Sequence, residues 1–89
     1  MTAPPVRLQR SVRVRLGADR GFLFDERSGR VYSLNATAAL AAAGLRDEKA
    51  EADIVTSVTE EFAVEAPVAR RDLERFIAQL VQEGLATRG

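Results

Sequence analysis

The first part of the chain alternates apolar and charged residues with the period of a β-strand. Residues 12–16 read Val-Arg-Val-Arg-Leu, and this strict alternation predicts a strand with one solvent-exposed face. Residues 22–25 and 31–34 contain β-branched and aromatic side chains, which favours two further strands. Gly29 lies in the short connection between these segments, where a glycine can adopt the positive φ of a tight turn. Three short strands with short connections predict an antiparallel meander.

The spacing of apolar residues changes to a helical period after Asn35, a residue type that caps helix N-termini well. The alanine-rich run 36–43 has high helix propensity, and Gly44 is expected to end this first helix. A second helix is predicted over residues 52–62, where the apolar side chains share one face.

A third helix is predicted over residues 67–83, because proline suits a first helical position and Gly84 suits a C-terminus. Strands followed by helices predict an α+β fold, with a three-stranded antiparallel sheet followed by a three-helix bundle in a winged-helix-like arrangement. The length of 89 residues allows one domain. Residues 1–11 contain two prolines and little periodicity, so we predict a flexible N-terminal arm and a folded domain over residues 12–86.

The composition argues against an enzyme. The chain has no cysteine and no histidine, which excludes disulfides, thiol nucleophiles and imidazole bases. No glycine-rich phosphate loop precedes a helix, and the lone Lys49 lies in a charged linker. We therefore expect no catalytic residues, no metal and no cofactor. No apolar run approaches the about 20 residues of a membrane span, and no signal-peptide core is present, so we expect a cytoplasmic protein without a membrane partner.

The charge balance is unfavourable for nucleic-acid binding. Thirteen basic residues balance thirteen acidic ones, and a net charge of zero attracts few phosphates. The basic and acidic side chains of the third helix also balance: Arg70, Arg71 and Arg75 against Asp72, Glu74 and Glu83. We expect no nucleic-acid partner, although a winged-helix DNA-binding regulator is the alternative that the element order leaves open.

An exposed sheet edge offers a different function. A three-stranded meander has two edges with unpaired backbone groups, and an extended peptide can add to such an edge as a further strand. The third strand, residues 31–34, contains no proline, lysine or glutamate to discourage pairing, and it leads directly into the capped first helix. The sequence therefore favours this strand as the peptide-binding edge.

The third helix is the expected wall of a groove beside that edge. A helical wheel centred on Leu73 places Ile77, Arg70, Val81 and Glu74 on one flank, which widens the apolar stripe and ends in one cation and one anion. The opposite flank is polar. The asymmetric stripe predicts that the flank with Ile77 and Val81 faces the strand, and a wide core-facing stripe explains the same periodicity equally well.

Three segments together resemble the PqqD family. They are the run GFLFDERSGRVYSLNATAA at residues 21–39, the run ADIVTSVTEEFAV at residues 52–64, and the run RRDLERFIAQLVQEGL at residues 70–85. The last of these is similar to a closing D-L-x-x-F-[IL]-x-x-L-x-x-x-G-L pattern. The order and spacing of the three segments extend the resemblance over about residues 12–85.

The resemblance implies a RiPP recognition element, a non-catalytic chaperone for ribosomally made natural-product precursors. Members bind the leader segment of a precursor peptide and present the core segment to a modifying enzyme such as a radical SAM maturase or a leader peptidase. The leader adds a strand beside the third strand and occupies the cleft between that strand and the third helix. The short connection between the first two strands and the alanine-rich first helix indicate a pathway other than quinone synthesis.

Carried over residue by residue, the resemblance implies peptide contacts on the strand and on the helix. The implied residues are Val31, Tyr32, Ser33, Leu34, Arg70, Leu73, Glu74, Ile77 and Val81. A subunit that docks on an enzyme through the same edge, without binding a leader, is a further alternative.

Overall fold

Strands and helices follow one another in the order that the sequence predicts, with an extra strand at either end. The computed structural model describes residues 6–88. Its elements are β1 (Val6–Leu8), β2 (Val12–Leu16), β3 (Arg20–Asp25), β4 (Val31–Asn35), α1 (Ala36–Arg46), α2 (Glu51–Glu61), α3 (Ala66–Gln82) and β5 (Ala86–Arg88). The predicted α+β fold with a three-stranded antiparallel sheet and three helices is confirmed.

The strands β2, β3 and β4 form the antiparallel meander, with β3 in the centre. The register places Val14 opposite Leu23 and Leu23 opposite Tyr32, so these side chains share the inner face of the sheet. Val14 and Leu23 are buried, whereas the alternate residues Arg13 and Arg15 are exposed. As predicted from the alternation of apolar and charged residues, β2 therefore has one buried and one solvent-exposed face.

The second sheet pairs the two ends of the described chain. Strands β1 and β5 are antiparallel, with Leu8 opposite Ala86, and the Gln9 N–H donates to the Leu85 carbonyl at 2.9 Å. Val6 is only 5% exposed. The predicted flexible arm over residues 1–11 is therefore wrong for Val6–Leu8, and the fold extends to Arg88, past the predicted boundary at residue 86; residues 1–5 lie outside the described residues. A three-residue strand has too little periodicity to be recognised without its distant partner.

Helix α1 is the layer between the sheet and the other helices. The Asn35 side chain accepts a hydrogen bond from the Ala38 N–H at 2.8 Å, which confirms the predicted cap. The alanines at the centre of α1 are buried, and their small side chains let the helix approach its neighbours closely. Gly44 lies inside α1 and does not end it, contrary to prediction. A Cβ at this position would lie 2.7 Å from Cγ1 of Ile54, so the glycine allows α1 to contact α2.

Helix α3 ends at a glycine, as predicted. Gly84 has a positive φ of 75°, and the Leu85 N–H donates to the Leu80 carbonyl at 2.8 Å. The Gly84 N–H donates to the Val81 carbonyl at 3.0 Å, which completes a Schellman motif. This reversal of the chain leads directly into β5 and closes the second sheet. None of the helices within residues 6–88 is both long enough and apolar enough to span a lipid bilayer.

Candidate functional site

The outer edge of β4 carries backbone groups with no partner strand within residues 6–88. The sheet order is β2-β3-β4, so β4 pairs on one side only. The Asp25 N–H donates to the Arg30 carbonyl at 2.9 Å, which fixes the phase of the hydrogen bonds between β3 and β4. In an antiparallel ladder this phase repeats every two residues, so the backbone groups of Tyr32 and Leu34 face β3. The groups that face the open edge belong to Val31 and Ser33.

The edge of β2 is less suited to accept a strand. Its exposed residues Arg13 and Arg15 place two positive charges along the strand, and charged side chains on an edge discourage pairing. The Val12 N–H already donates to the Gln9 carbonyl at 3.0 Å. The residues Val31–Asn35 of β4 carry no charge at all. Of the two edges of this sheet, β4 is therefore the receptive one.

A cleft of about 220 Å³ lies between β4 and α3. Its apolar lining includes Tyr32 and Leu34 from the strand and Phe76 and Leu80 from the helix. Gln79 and Glu83 of α3 add a polar border. Because Ser33 also lines this cleft, the open edge of β4 and the apolar cleft form one site.

A second groove of about 370 Å³ continues from the cleft toward the connection between α2 and α3. Asn35, Ala38, Phe76 and Gln79 line both spaces, so the two are adjacent. Beyond them the groove is bordered by apolar side chains from three helices and the loop before α3, among them Ala41, Val58, Val64, Val68 and Leu73. The surface beside β4 is thus long enough to accommodate a chain that extends past the strand.

The far end of the cleft is bordered by an ion pair between strand and helix ends. The Arg30 Nη1 atom lies 4.0 Å from the Glu83 Oε2 atom, and both side chains are partly exposed. Exposed pairs of this kind contribute little to stability. Because the Arg30–Glu83 ion pair lies beside the open end of the cleft, a peptide that entered the cleft there would contact it.

The turn that leads into β4 is held by the buried Asp25 carboxylate. Ser11 donates to its Oδ1 atom at 2.7 Å and Ser28 donates to its Oδ2 atom at 2.8 Å. The Arg27 N–H donates to Oδ1 at 3.2 Å. The hydrogen bonds from Ser11 and then Ser28 hold the pKa of Asp25 below its ordinary value. These bonds connect the segment before β2 to the β3–β4 turn and so fix where β4 begins.

The four strand residues that the sequence singled out have different positions. Tyr32 and Leu34 point to the inner face and line the cleft, while Ser33 contributes to its border. Val31 is 61% exposed and lies on the outer face opposite Phe24. Their placement fits a bound strand at this edge, with two of the side chains directed into the cleft.

The five helix residues that the sequence singled out are placed elsewhere. Leu73 lines the second groove and Ile77 is fully buried. Arg70 and Glu74 border a shallow, exposed depression near the start of α3, and Val81 is 41% exposed outside both grooves. The predicted orientation of α3 is therefore wrong, because the flank next to β4 is the other one.

The α3 residues that line the cleft are Phe76, Gln79, Leu80 and Glu83. A helical wheel gives relative angles around the helix but not which flank a neighbouring strand covers. Gln79 and Glu83 were missed because their flank is polar in sequence. Phe76 could have indicated the correct flank, because it lies on the same side of the apolar stripe as Gln79 and Glu83 and belongs to the D-L-x-x-F pattern.

A family model described as Coenzyme PQQ synthesis protein D (PqqD) matches residues 20–86. The chain belongs to the PqqD family. This match confirms the resemblance drawn from the three sequence segments and runs from β3 to the first residue of β5, including both walls of the cleft. No curated protein gives a significant match.

Two solved structures share the PqqD-like fold of this chain. One, described as lasso peptide synthetase B1 complexed with the leader peptide, has a TM-score of 0.78 and 34% sequence identity, over 93% of this chain and 98% of that chain. The other, described as TbiB1 in complex with the TbiA(beta) leader peptide, has a TM-score of 0.79 over 90% of this chain and 93% of that chain. Its identity is 24%, so this likeness concerns the fold alone.

Proposed function

We propose that this PqqD-family chain is a RiPP recognition element. It binds the leader segment of a ribosomally made precursor peptide as an added strand beside β4 and presents the precursor to a modifying enzyme, without catalysing a reaction itself. The observation that carries the proposal is the uncharged open edge of β4 beside the apolar cleft. The leader peptide bound in the solved structure that is 34% identical to this chain supports it.

Backbone hydrogen bonds give the first part of the binding energy. The N–H and C=O groups of Val31 and Ser33 face the open edge and pair with the backbone of the leader. Each such bond contributes about 0.5–1.5 kcal/mol net. Backbone pairing is independent of side-chain identity, so it holds the leader along the edge, while the leader side chains that enter the cleft set the register and the selectivity.

Side chains of the leader supply the second part. Alternate residues of an added strand point to the same face, so every second leader residue lies over Tyr32 and Leu34 and enters the cleft. Burial of two leucine-sized side chains against Phe76 and Leu80 contributes about 3–6 kcal/mol before the cost of ordering the peptide. The expected leader segment therefore has apolar residues at alternate positions.

The partner enzyme is a radical SAM maturase or a leader peptidase in this proposal. A leader held at the edge of β4 leaves the rest of the precursor free to reach a separate active site. The continuation of the cleft toward Val64 and Val68 gives the leader a second apolar contact surface beyond the strand.

The test is an NMR titration of the ¹⁵N-labelled chain with the leader segment of a precursor peptide identified in the reading frames next to its gene. We expect the amide signals of Val31, Ser33 and Gln79 to shift and saturate, since these residues lie at the edge and the cleft. A leader of the same composition in scrambled order is the control. Unchanged edge amides at saturating leader would contradict the proposal, and steeply salt-dependent shifts with duplex DNA would favour the DNA-binding alternative.

A further inference from the structure

The outer face of the three-stranded sheet carries an apolar cluster that the cleft does not use. Phe22 and Phe24 of β3 are 38% and 37% exposed, and Val31 of β4 is 61% exposed. The register places Phe24 opposite Val31, so the three side chains form one patch on the side away from α1. Two exposed phenylalanines on a central strand are costly to leave in water, and exposed apolar patches mark interaction sites.

The side chains of β2 that flank this apolar cluster are both positively charged. Arg13 lies opposite Phe24 and Arg15 opposite Phe22, and both arginines are exposed. Arg13 forms an ion pair with Glu26 at 3.0 Å, while Arg15 has no ion pair to a carboxylate within residues 6–88. No outward position of the three strands carries an acidic residue. The face thus offers an apolar centre with an available guanidinium beside it.

We infer that this outer face is the docking surface for the enzyme that acts on the bound precursor. The partner fits if it presents an apolar patch flanked by a carboxylate that reaches Arg15. This assignment rests on the proposed function, which requires the precursor to be handed to an enzyme.

The position of Val31 links the docking surface to the leader. Val31 is on the outer face, yet its backbone groups face the open edge. An added strand at that edge extends the outer face, because every second leader side chain points outward beside Val31. The enzyme therefore contacts the chain and the bound leader together, and leader binding raises the affinity of the chain for the enzyme.

A nucleic acid is a poorer occupant of the same face. Arginines and aromatic side chains on a sheet can bind single strands, but such binding needs a positively charged track along the backbone. Here Arg13 is already paired with Glu26, and the whole chain has a net charge of zero. One available guanidinium gives a protein partner a specific contact but gives a polynucleotide very little affinity.

The test measures the affinity of the chain for a maturase or peptidase identified in the reading frames next to its gene, with and without the leader segment of the precursor identified there. Phe24→Glu places a carboxylate in the apolar cluster, and we expect it to weaken enzyme binding by about 30-fold, as for a buried aromatic anchor. Ala78→Glu adds the same charge to an exposed position of α3 outside both grooves and is the matched control. Arg15→Glu leaves the apolar cluster intact, so this variant is used for the test if Phe24→Glu does not fold.

Leader affinity is measured on the same variants by fluorescence anisotropy, which separates the two proposals. We expect Phe24→Glu and Arg15→Glu to retain leader affinity while they lose enzyme affinity. Equal enzyme affinity for the wild type and a folded Phe24→Glu or Arg15→Glu variant would overturn the docking surface. Loss of RNA or DNA oligonucleotide binding in those variants, with enzyme binding intact, would overturn it as well. If the wild type binds the enzyme but not the leader, the proposed function fails, and weaker enzyme binding by Phe24→Glu or Arg15→Glu would then show that the outer face binds an enzyme without a bound leader.

Discussion

Ser33 of β4 lies directly opposite Phe22 of β3, at a position of the register where the two residues do not exchange hydrogen bonds. The N–H of Ser33 therefore points to the open edge, whereas the N–H of Leu34 faces Gly21 of β3. The backbone groups of neighbouring residues in the same strand thus face opposite ways, those of Leu34 toward β3 and those of Ser33 toward the edge where we propose that the peptide binds.

Substitution Ser33→Pro removes a donor from the open edge without removing a bond to β3. We expect leader affinity to fall by at least about tenfold, from one lost hydrogen bond and the steric hindrance of the ring to pairing. The melting temperature should stay close to that of the wild type. Isothermal titration calorimetry with the same leader segment measures the effect.

Two controls separate the edge from the fold. Ser33→Ala keeps the backbone N–H and should bind the leader as the wild type does. Leu34→Pro removes an N–H that faces β3 and should unfold the sheet or strongly lower its stability. A folded Ser33→Pro variant with normal leader affinity would show that this edge does not receive the peptide.

Substitution Gln79→Trp tests which flank of α3 forms the cleft. Gln79 is exposed and lines both grooves, so an indole at this position should fill the space without disturbing the core. We expect at least about tenfold weaker leader binding at an unchanged melting temperature. Gln82→Trp, on an exposed part of the same helix outside both grooves, should bind normally. The opposite result, in which Gln82→Trp weakens leader binding and Gln79→Trp does not, would show that the leader binds along the flank of α3 that carries Val81.

Substitution Gly44→Ala tests the contact between α1 and α2. Alanine is the better helix former by about 1 kcal/mol, so propensity alone predicts a more stable protein. We expect destabilisation by about 1–3 kcal/mol in chemical denaturation instead, because the new methyl group would lie 2.7 Å from Cγ1 of Ile54. Ile54→Ala in the same chain removes the clashing atoms and should make the effect of Gly44→Ala less unfavourable. A stabilised single variant would mean that the two helices are not in close contact here.

The Asp25 carboxylate should make stability depend on acid pH. Its pKa is below the ordinary value of 3.8 in the folded state, so the ionised form stabilises the fold at pH values above the unfolded-state pKa. This contribution is lost as pH falls from about 3.8 through the lower folded-state pKa. We expect Asp25→Asn to reduce the free energy of unfolding at neutral pH and to flatten its decline in that acidic range.

Denaturation curves recorded across this pH range check the effect. Asp19→Asn, at an exposed position in the β2–β3 turn, is the matched control and should keep the wild-type acid dependence. Ser28→Ala should give a smaller change than Asp25→Asn, since Ser11 and the Arg27 N–H still donate to the carboxylate. If the free energy of unfolding of Asp25→Asn fell with decreasing pH as steeply as that of the wild type, the decline would be due to other carboxylates.

Strands and helices with local signals could be predicted from the residues alone. Alternation in Val12–Leu16, the cap at Asn35 and the terminating Gly84 each depend on neighbours within a few residues, and the elements they predict are present. The edge that we propose for peptide binding was also favoured from local features, because an uncharged strand without proline can be recognised in residues 31–34 alone.

Features that depend on partners far away in the chain could be identified only from the folded arrangement. Val6–Leu8 becomes a strand because Ala86–Arg88 lies beside it. Gly44 lies inside α1, and its missing side chain leaves the space that Ile54 of the next helix occupies. The helical wheel could order the residues around α3, but the packing of α3 against α1 and α2 set its rotation and turned Phe76 and Gln79 toward β4. Periodicity describes an element about its own axis, and a cleft exists only once two such elements have fixed positions relative to each other.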